Sequence, residues 1–462
     1  MPSAHARRPV PNNDRFHGLD ELEPRQLLSA VYVATWGSDA NNGSIGSPYA
    51  TLEKAAFNVS AGDTIYLRGG TYYWTNDQWV SSNGTASQRI TIDNYGSEQV
   101  ILDGSNNQGT ATFGQQDVVT IAGSYITFRD IEVRNSKANG IAFVAGADNV
   151  VIDNVKAHHS QYAGVAVLGN PWNIWETNNI TVKNSDIYRN AQANNPTPAN
   201  GQGAWPGAMI SHWSSYVNFM DNNVYENYGE GILQVVSHGG YVQGNTVRDN
   251  YSHNIYLDNA TSTTVRNNFV HTYNLNEFKR DGWAATGIAV ANENYVVTRD
   301  SKDNPIVNNI VIGGVHGFYY GNYDRGGGLI NTLVAHNVFH NSDFEVVKID
   351  YDNGHSGSLF VNNIFSNYRF SGNLASYAGG GWIDRHHNGY AGGNWQTNNF
   401  YGYSDVWAHP DYANAWGNSA SDYRIRNTSP MVNAGQAGQY STDYWWSTRD
   451  STPNLGAFES TW

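Results

Sequence analysis

Residues 225–259 read YENYGEGILQVVSHGGYVQGNTVRDNYSHNIYLDN, in which an Asn-Tyr pair occurs twice, at Asn227-Tyr228 and Asn250-Tyr251. Each pair leads to an isoleucine, Ile232 or Ile255, yet the polar groups between differ: Glu230 in one copy, His253 in the other. A carboxyl group beside an imidazole is equipment for proton transfer, because burial and the neighbouring group tune the proton affinity of each. Asp258, at the end of the second copy, adds the second carboxylate that acid/base cleavage of an acetal requires. These groups meet only if the two copies lie side by side.

The same unit recurs along the chain. Asn135 precedes Ile141, Ser160 precedes Val165 and Asn341 precedes Val347. Short alternating segments lie upstream of each unit, among them TFRDIEV, VIDNVKA, TVKNSDI, MDNNVYE and GNTVRD. Short strands recurring roughly every 22–30 residues with Asn or Gly corners describe single coils of a parallel β-helix. The fold predicted is all-β: a right-handed solenoid with inward Val/Ile columns and asparagines hydrogen-bonded along a corner. A leucine-rich horseshoe lacks its Leu consensus here, and propeller blades are longer.

Registering the coils on their inward apolar residue stacks Ile141, Val165, Met209, Ile232, Ile255, Ile288, Phe318 and Val347. The flanking columns carry small residues in early coils, then Glu230, His253, His316 and Glu345, with Tyr256, Tyr319 and Lys348, and His212, Asp258 and Asp350. A scaffold that stays constant while one face gains titratable groups describes a groove for a polymer. At about 4.8 Å per coil, Glu230 and Glu345 stand about 19 Å apart and cannot share a glycosidic bond. Glu230 with Asp258 is the one pair in the cluster that approaches the ~5–9.5 Å of paired glycosidase carboxylates. Gly229 and Gly231 flank Glu230 and favour a special corner there.

Composition narrows the partners. The formal charge of −14 lacks the basic footprint of a nucleic-acid binder. There is no cysteine, hence no disulfide or thiolate chemistry, and no apolar run long enough to span a membrane. Fifteen Trp and 30 Tyr supply flat faces for sugar rings. No EF-hand, HExxH, P-loop or GxSxG motif is present. His158-His159 and His386-His387 are poor metal ligands if adjacent strand residues point apart. No cofactor is expected; calcium is admitted, but no motif for it is visible.

Both ends carry a family resemblance. Residues 32–73, YVATWGSDANNGSIGSPYATLEKAAFNVSAGDTIYLRGGTYY, resemble the N-terminal cap and first coil of pectate-lyase-like β-helix carbohydrate enzymes, with a plugging helix around Leu52–Val59. Residues 429–459 resemble their closing segment. The Asp-rich calcium cluster of pectate lyases and the paired-Asp and Gly-His-Gly signatures of β-helix polygalacturonases are missing. Leu22, Glu23, Pro24, Arg25, Leu27, Leu28, Ser29 and Ala30 resemble the LEPR-x-LL-S-A segment of exported planctomycete-like proteins, which implies bacterial secretion or surface display. The organisation expected is a leader over 1–30 and a single β-helix domain over 31–462. Within it, the cap spans 31–75, the coils run over about 90–370, and residues 371–462 are rich in loops.

The overall outline is most similar to endo-fucanases of β-helix fold, which implies hydrolysis of sulfated fucan by a monomer. In that reading Glu230 is the general acid, Asp258 the base or nucleophile, and His253 tunes Glu230. His212, His238, Lys348, Arg325 and Arg385 would meet sulfate, and Tyr256, Tyr319 and Asp350 would line the groove. The alternative is a lyase or C5-epimerase on uronates, with His253, Tyr256 or Lys348 abstracting the C5 proton. A non-catalytic glycan-binding surface protein is the third reading.

Overall fold

The computed structural model describes residues 29–108, 116–195, 206–323, 325–369, 373–379, 381–392, 397 and 399–461. The leader motif up to Leu28 falls outside these, as do residues 196–205 of the stretch AQANNPTPANGQGAWP (191–206), whose Pro, Asn and Gly content marks it in the sequence as a loop between a strand and its corner. Ser29 and Ala30, assigned above to the leader, belong to the solenoid. The Ser29 N–H donates to Asp63 Oδ1 at 2.9 Å, and Ala30–Val33 pairs in parallel with Thr64–Leu67.

The chain visits three sheets in turn and returns to the first, so that each circuit adds one strand to each. Among the described residues, sheet one has 13 strands, from Ala30–Val33 to Ile383–His386, and sheet two has 13, from Gly70–Tyr72 to Val406–Trp407. The groove sheet has 11 among them, from Gln78–Val80 to Ala375–Tyr377. This is a right-handed parallel β-helix. The stack Ile141, Val165, Met209, Ile232, Ile255, Ile288, Phe318 and Val347 pairs in the register read from sequence.

The sequence explains the corners. Between sheets one and two, Asp221, Gly244, Asn267, Asn308, His336, Asn362 and His387 all take positive φ. Each is followed by a buried asparagine: Asn222, Asn245, Asn268, Asn309, Asn337, Asn363 or Asn388. The left-handed residue turns the chain, which Gly and Asn tolerate best. The asparagine then satisfies the backbone groups that the turn buries. Asn245, for example, donates from Nδ2 to the Phe219 carbonyl at 2.8 Å and to Asn268 Oδ1 at 3.0 Å, and its own Oδ1 accepts from the Asn222 N–H at 2.9 Å. A second, shorter ladder of Ser160, Asn190, Asn227 and Asn250 lies between sheet two and the groove sheet. Asn135 and Asn341 are not rungs of it. They occupy the preceding positive-φ position, one residue earlier in the coil.

The ends are closed differently. Helix Leu52–Phe57 starts at Thr51, whose side chain accepts from the Lys54 N–H, and its Leu52, Ala55 and Ala56 are buried over the first coil. The coils run further than expected, from Thr64 to Trp407, because Ala375–Tyr377, Ile383–His386, Gly389–Gly392 and Val406–Trp407 continue the sheets through a Gly- and aromatic-rich stretch. Beyond them, Tyr412, Tyr423, Ile425, Met431 and Leu455 pack on Phe269, Ile310, Val338 and Ile364, the outward apolar column of sheet two.

Replacing Asn245 with Ala orphans buried groups on both neighbouring coils. Asn245→Ala is expected to lower unfolding stability by on the order of 2–4 kcal/mol, read by urea titration, since each buried unsatisfied group costs about 1–3 kcal/mol.

Candidate active site

Coil length places the site. From Met209 through Ile232 to Ile255 the anchors are 23 residues apart. The intervals Val165–Met209 and Phe318–Val347, of 44 and 29 residues, are lengthened, and so are the two between them: 33 separate Ile255 from Ile288 and 30 separate Ile288 from Phe318. The extra residues of these last two form two walls over the groove sheet. The first wall is pinned by Phe278, buried against Tyr228 and Ala191, and by Glu277, which accepts from the Tyr228 hydroxyl and from Arg189 Nη1 at 3.3 Å. It delivers Arg280, whose Nη1 donates to Ser252 Oγ at 3.3 Å. The second wall is clamped by Asn259, which accepts from the Glu293 N–H at 2.7 Å and donates to the Glu293 and Arg299 carbonyls. It delivers Glu293 and Tyr295.

Between the walls lies a cavity of about 640 Å³, lined by Glu230, His253, Tyr256, Asp258, His212 and Arg280 together with Glu293, Tyr295 and Tyr323. Glu230 Oε1 and His253 Nε2 are 3.9 Å apart. Glu230 reaches the cavity because the chain passes beneath its neighbours on either side of it. A Cβ at Gly229 would stand 1.9 Å from the Pro206 carbonyl oxygen, and one at Gly231 2.4 Å from that of Asn254. The Tyr256 hydroxyl donates to Glu293 Oε1 at 2.7 Å, and the Tyr295 hydroxyl donates to Asp258 Oδ2. The His212 ring stacks on Trp213 with centroids 3.6 Å apart.

Burial drives the acids and the imidazoles in opposite directions. It pushes the Glu230 carboxyl well above its ordinary value, reinforced by Asp258 and Glu293 and partly offset by Arg280. Asp258 is likewise raised by burial and by Glu293, against the Tyr295 hydrogen bond. His253 is lowered to about 3 by burial, then by Arg280 and His316. His212 falls to about 4 through burial. His253 Nδ1, His212 Nε2 and Asp258 Oδ1 are buried with no hydrogen-bond partner among the described residues. Burial thus favours the uncharged carboxyl at Glu230 and the neutral imidazole at His253, the reverse of an exposed Glu–His pair.

Other residues named from sequence lie apart from the cavity. Tyr319, Lys348 and Asp350 form their own group on the next coils: the Tyr319 hydroxyl donates to Asp350 Oδ2 at 2.7 Å, with Lys348 Nζ 3.8 Å from Asp350 Oδ1. His238 sits at the corner beyond the groove strands, bonded to Thr261 Oγ1 at 2.9 Å and edge-on to Trp175. Arg325 is exposed and pairs with Asp300 at 2.9 Å. Arg385 belongs to sheet one, where it donates to the carbonyls of Ile383, Asn399 and Tyr401 and covers Tyr377 and Phe400. These three are therefore not pocket ligands. Arg280, Glu293, Tyr295 and Tyr323 were missed, and the lengthened anchor spacing was the signal for them.

A pectate-lyase-like architecture raises the question of calcium, which takes six to eight oxygen ligands. Among the described residues no group of three or more His, Asp or Glu side chains converges as a metal site. In the pocket, Asp258 and Glu293 each accept a tyrosine hydroxyl, so these carboxylates are turned to the wall and do not fit the ion. The two adjacent histidine pairs do meet, contrary to expectation. Their Nδ1 atoms are 2.7 Å apart in His158-His159 and 2.9 Å in His386-His387, because the second residue of each takes positive φ.

The buried acid makes a stability test. A carboxyl whose folded value is raised favours folding below its ordinary 4.5 and loses that contribution as pH rises toward the folded value. Glu230→Gln is expected to raise the melting temperature at pH 7 to 8, with the gain vanishing near pH 4. A thermal-melt series across pH measures it, and a gain that is constant with pH contradicts the assignment.

Comparison with known proteins agrees with this architecture. The family described as Pel9A-like, right handed beta helix region, matches residues 31–347. Pectate lyase PEL9 of Emericella nidulans is 29% identical over 191 residues, covering 40% of this chain and 44% of that enzyme. Pectate lyase L of Paenibacillus polymyxa is 31% identical over 174 residues, 35% of this chain and 37% of that one. The match thus spans less than half the length of either relative. Among solved structures, pectate lyase Pel9A superposes with a TM-score of 0.55 at 18% identity, over 93% of this chain and 96% of its own. A rhamnogalacturonan lyase does so at 0.50 and 16%, over 78% and 87%. Their likeness is one of fold. With more than half of its length matched, the chain belongs to the Pel9A-like right-handed β-helix family.

Proposed function

We propose that this protein is an extracellular polysaccharide lyase acting on a uronate-containing polymer. The observation that carries the reading is the buried His253 imidazole 3.9 Å from the Glu230 carboxyl, with Arg280 lining the same pocket. β-Elimination needs a base for the C5 proton and a partner that neutralises the adjacent carboxylate as negative charge spreads onto it. In the proposed reaction His253 takes the C5 proton. Arg280 and the Glu230 carboxyl O–H hydrogen-bond the substrate carboxylate, and the C4–O bond breaks to leave a C4–C5 double bond. Tyr256, whose ring lies 4.7 Å from that of His253, protonates the departing oxygen and recovers its proton from the imidazolium. The kinship with pectate lyases supports this chemistry over the hydrolase reading.

A glycoside hydrolase remains the second reading, favoured by the Glu230, Asp258 and Glu293 carboxyls around one cavity. Sulfated fucan as its substrate draws little support, since Arg325, Arg385 and His238 lie elsewhere and His212 is held neutral by burial. Export and a monomeric state belong to the same proposal as the extracellular polymer.

Incubation with polygalacturonate, alginate, rhamnogalacturonan and sulfated fucan, with products sized and their ultraviolet absorbance read together, separates the readings. Shortened chains that absorb are expected from one of the uronates; shortening without absorbance overturns the lyase. Glu230→Gln and His253→Ala should each lower the rate at least ~100-fold while the fold is retained. The acid limb of the rate profile should follow His253 near pH 3 rather than an ordinary histidine.

A further inference from the structure

The wall that carries Arg280 also faces a second recess, of about 360 Å³, lined by Asn274, Lys279, Gly282, Trp283, Asp343, Phe344 and Arg369. Its geometry is set by a two-residue turn. Arg280 and Trp283 exchange backbone hydrogen bonds at 3.0 and 2.8 Å, and Asp281 and Gly282 between them take φ of 52° and 83°. This Asp-Gly pairing, with both central residues at positive φ, is the tight hairpin turn that those residue types favour. One rigid turn thus holds Arg280 at the main cavity and Trp283 at the recess.

Inside the recess the Trp283 ring meets Phe344 with centroids 4.5 Å apart, and both remain substantially exposed, at 46% and 39%. Exposed aromatic faces of this size on a rigid wall are suited to stacking against a sugar ring. Aromatic rings continue back to the cavity: Phe344 lies 6.1 Å from His316, His316 5.4 Å from Tyr319, and Tyr319 6.1 Å from Tyr323, which lines the cavity. Cations accompany the track. Lys348 Nζ stands 5.3 Å from the Tyr319 ring, and Lys279 lines the recess, where Arg369 and Asp343 neutralise one another as an ion pair.

We propose that this recess is a further subsite for the acidic glycan whose cleaved bond lies in the main cavity, stacking a sugar on Trp283 and Phe344 and meeting its carboxylate with Lys279. The assignment rests on the uronate reading of the main pocket and adds where the chain continues: along the groove toward the C-terminal coils, past the Asp281-Gly282 turn. Trp283 and Lys279 then act on long substrates and are dispensable for short ones.

The test compares Trp283→Ala, Lys279→Ala and Trp283→Phe with the parent protein, each checked for an unchanged melting curve. On the polymer that the parent degrades, Trp283→Ala and Lys279→Ala are expected to lower kcat/KM about tenfold through KM. On the shortest oligosaccharide cleaved they should change it less than about twofold, and Trp283→Phe should restore most of the loss. Equal effects on long and short substrates, or no effect on either, overturn the subsite. Affinity electrophoresis in gels cast with polygalacturonate or alginate tests it without turnover. Retardation of the parent that both alanine variants lose supports the subsite even where no unsaturated product forms, an outcome that counts against the lyase chemistry alone. Equal migration of parent and variants overturns the subsite even where such product does form.

Discussion

Parallel hydrogen bonding from each coil to the next sets the distances in this molecule. Most strands that make those bonds are only three to six residues long, so the corners must repeat their shape or the stack loses register. They repeat because a positive-φ residue turns the chain and a buried asparagine takes up the backbone groups left behind, coil after coil. Buried amides in an unbroken ladder satisfy one another, whereas a single gap would orphan groups on two coils. Glu230 and His253 are neighbours for this reason: each starts a groove strand on adjacent coils.

The pocket departs from that regularity in a physically specific way. Where the ladder permits longer coils, two walls rise and remove water from one stretch of an otherwise open sheet face. Loss of solvent penalises charge of either sign, so it raises the carboxyls and lowers the imidazoles. Burial therefore favours the uncharged form of both members of the Glu–His pair. In the proposed elimination the imidazole serves as base beside a carboxyl that donates its hydrogen.

The same desolvation bears on how charge on a substrate is met. The pocket acids that accept tyrosine hydroxyls, Asp258 and Glu293, are committed to the wall rather than converging on a cation site. Among the groups lining the cavity, the Arg280 guanidinium carries hydrogens to donate, and burial favours the protonated form of Glu230. Membership of a β-helix family leaves the donor set open, since one scaffold carries chemistry on residues that vary from coil to coil.

Much of this was legible without coordinates. The repeat of Asn and inward Ile or Val residues determined the solenoid, its register and the adjacency of Glu230, His253, Tyr256 and Asp258, because a fixed strand spacing converts sequence period into distance. Lengthened anchor spacing marked the loops that carry Arg280, Glu293 and Tyr295 but not where those side chains go, since no period governs a loop's course. His238, Arg325 and Arg385 were misplaced for the same reason: a residue type suited to binding says nothing of the partner that captures it first. The sequence by itself determined the coil and the column in which each groove side chain stands. Only the tertiary structure decided which of those columns is roofed, and with that which groups lose their water and change their protonation.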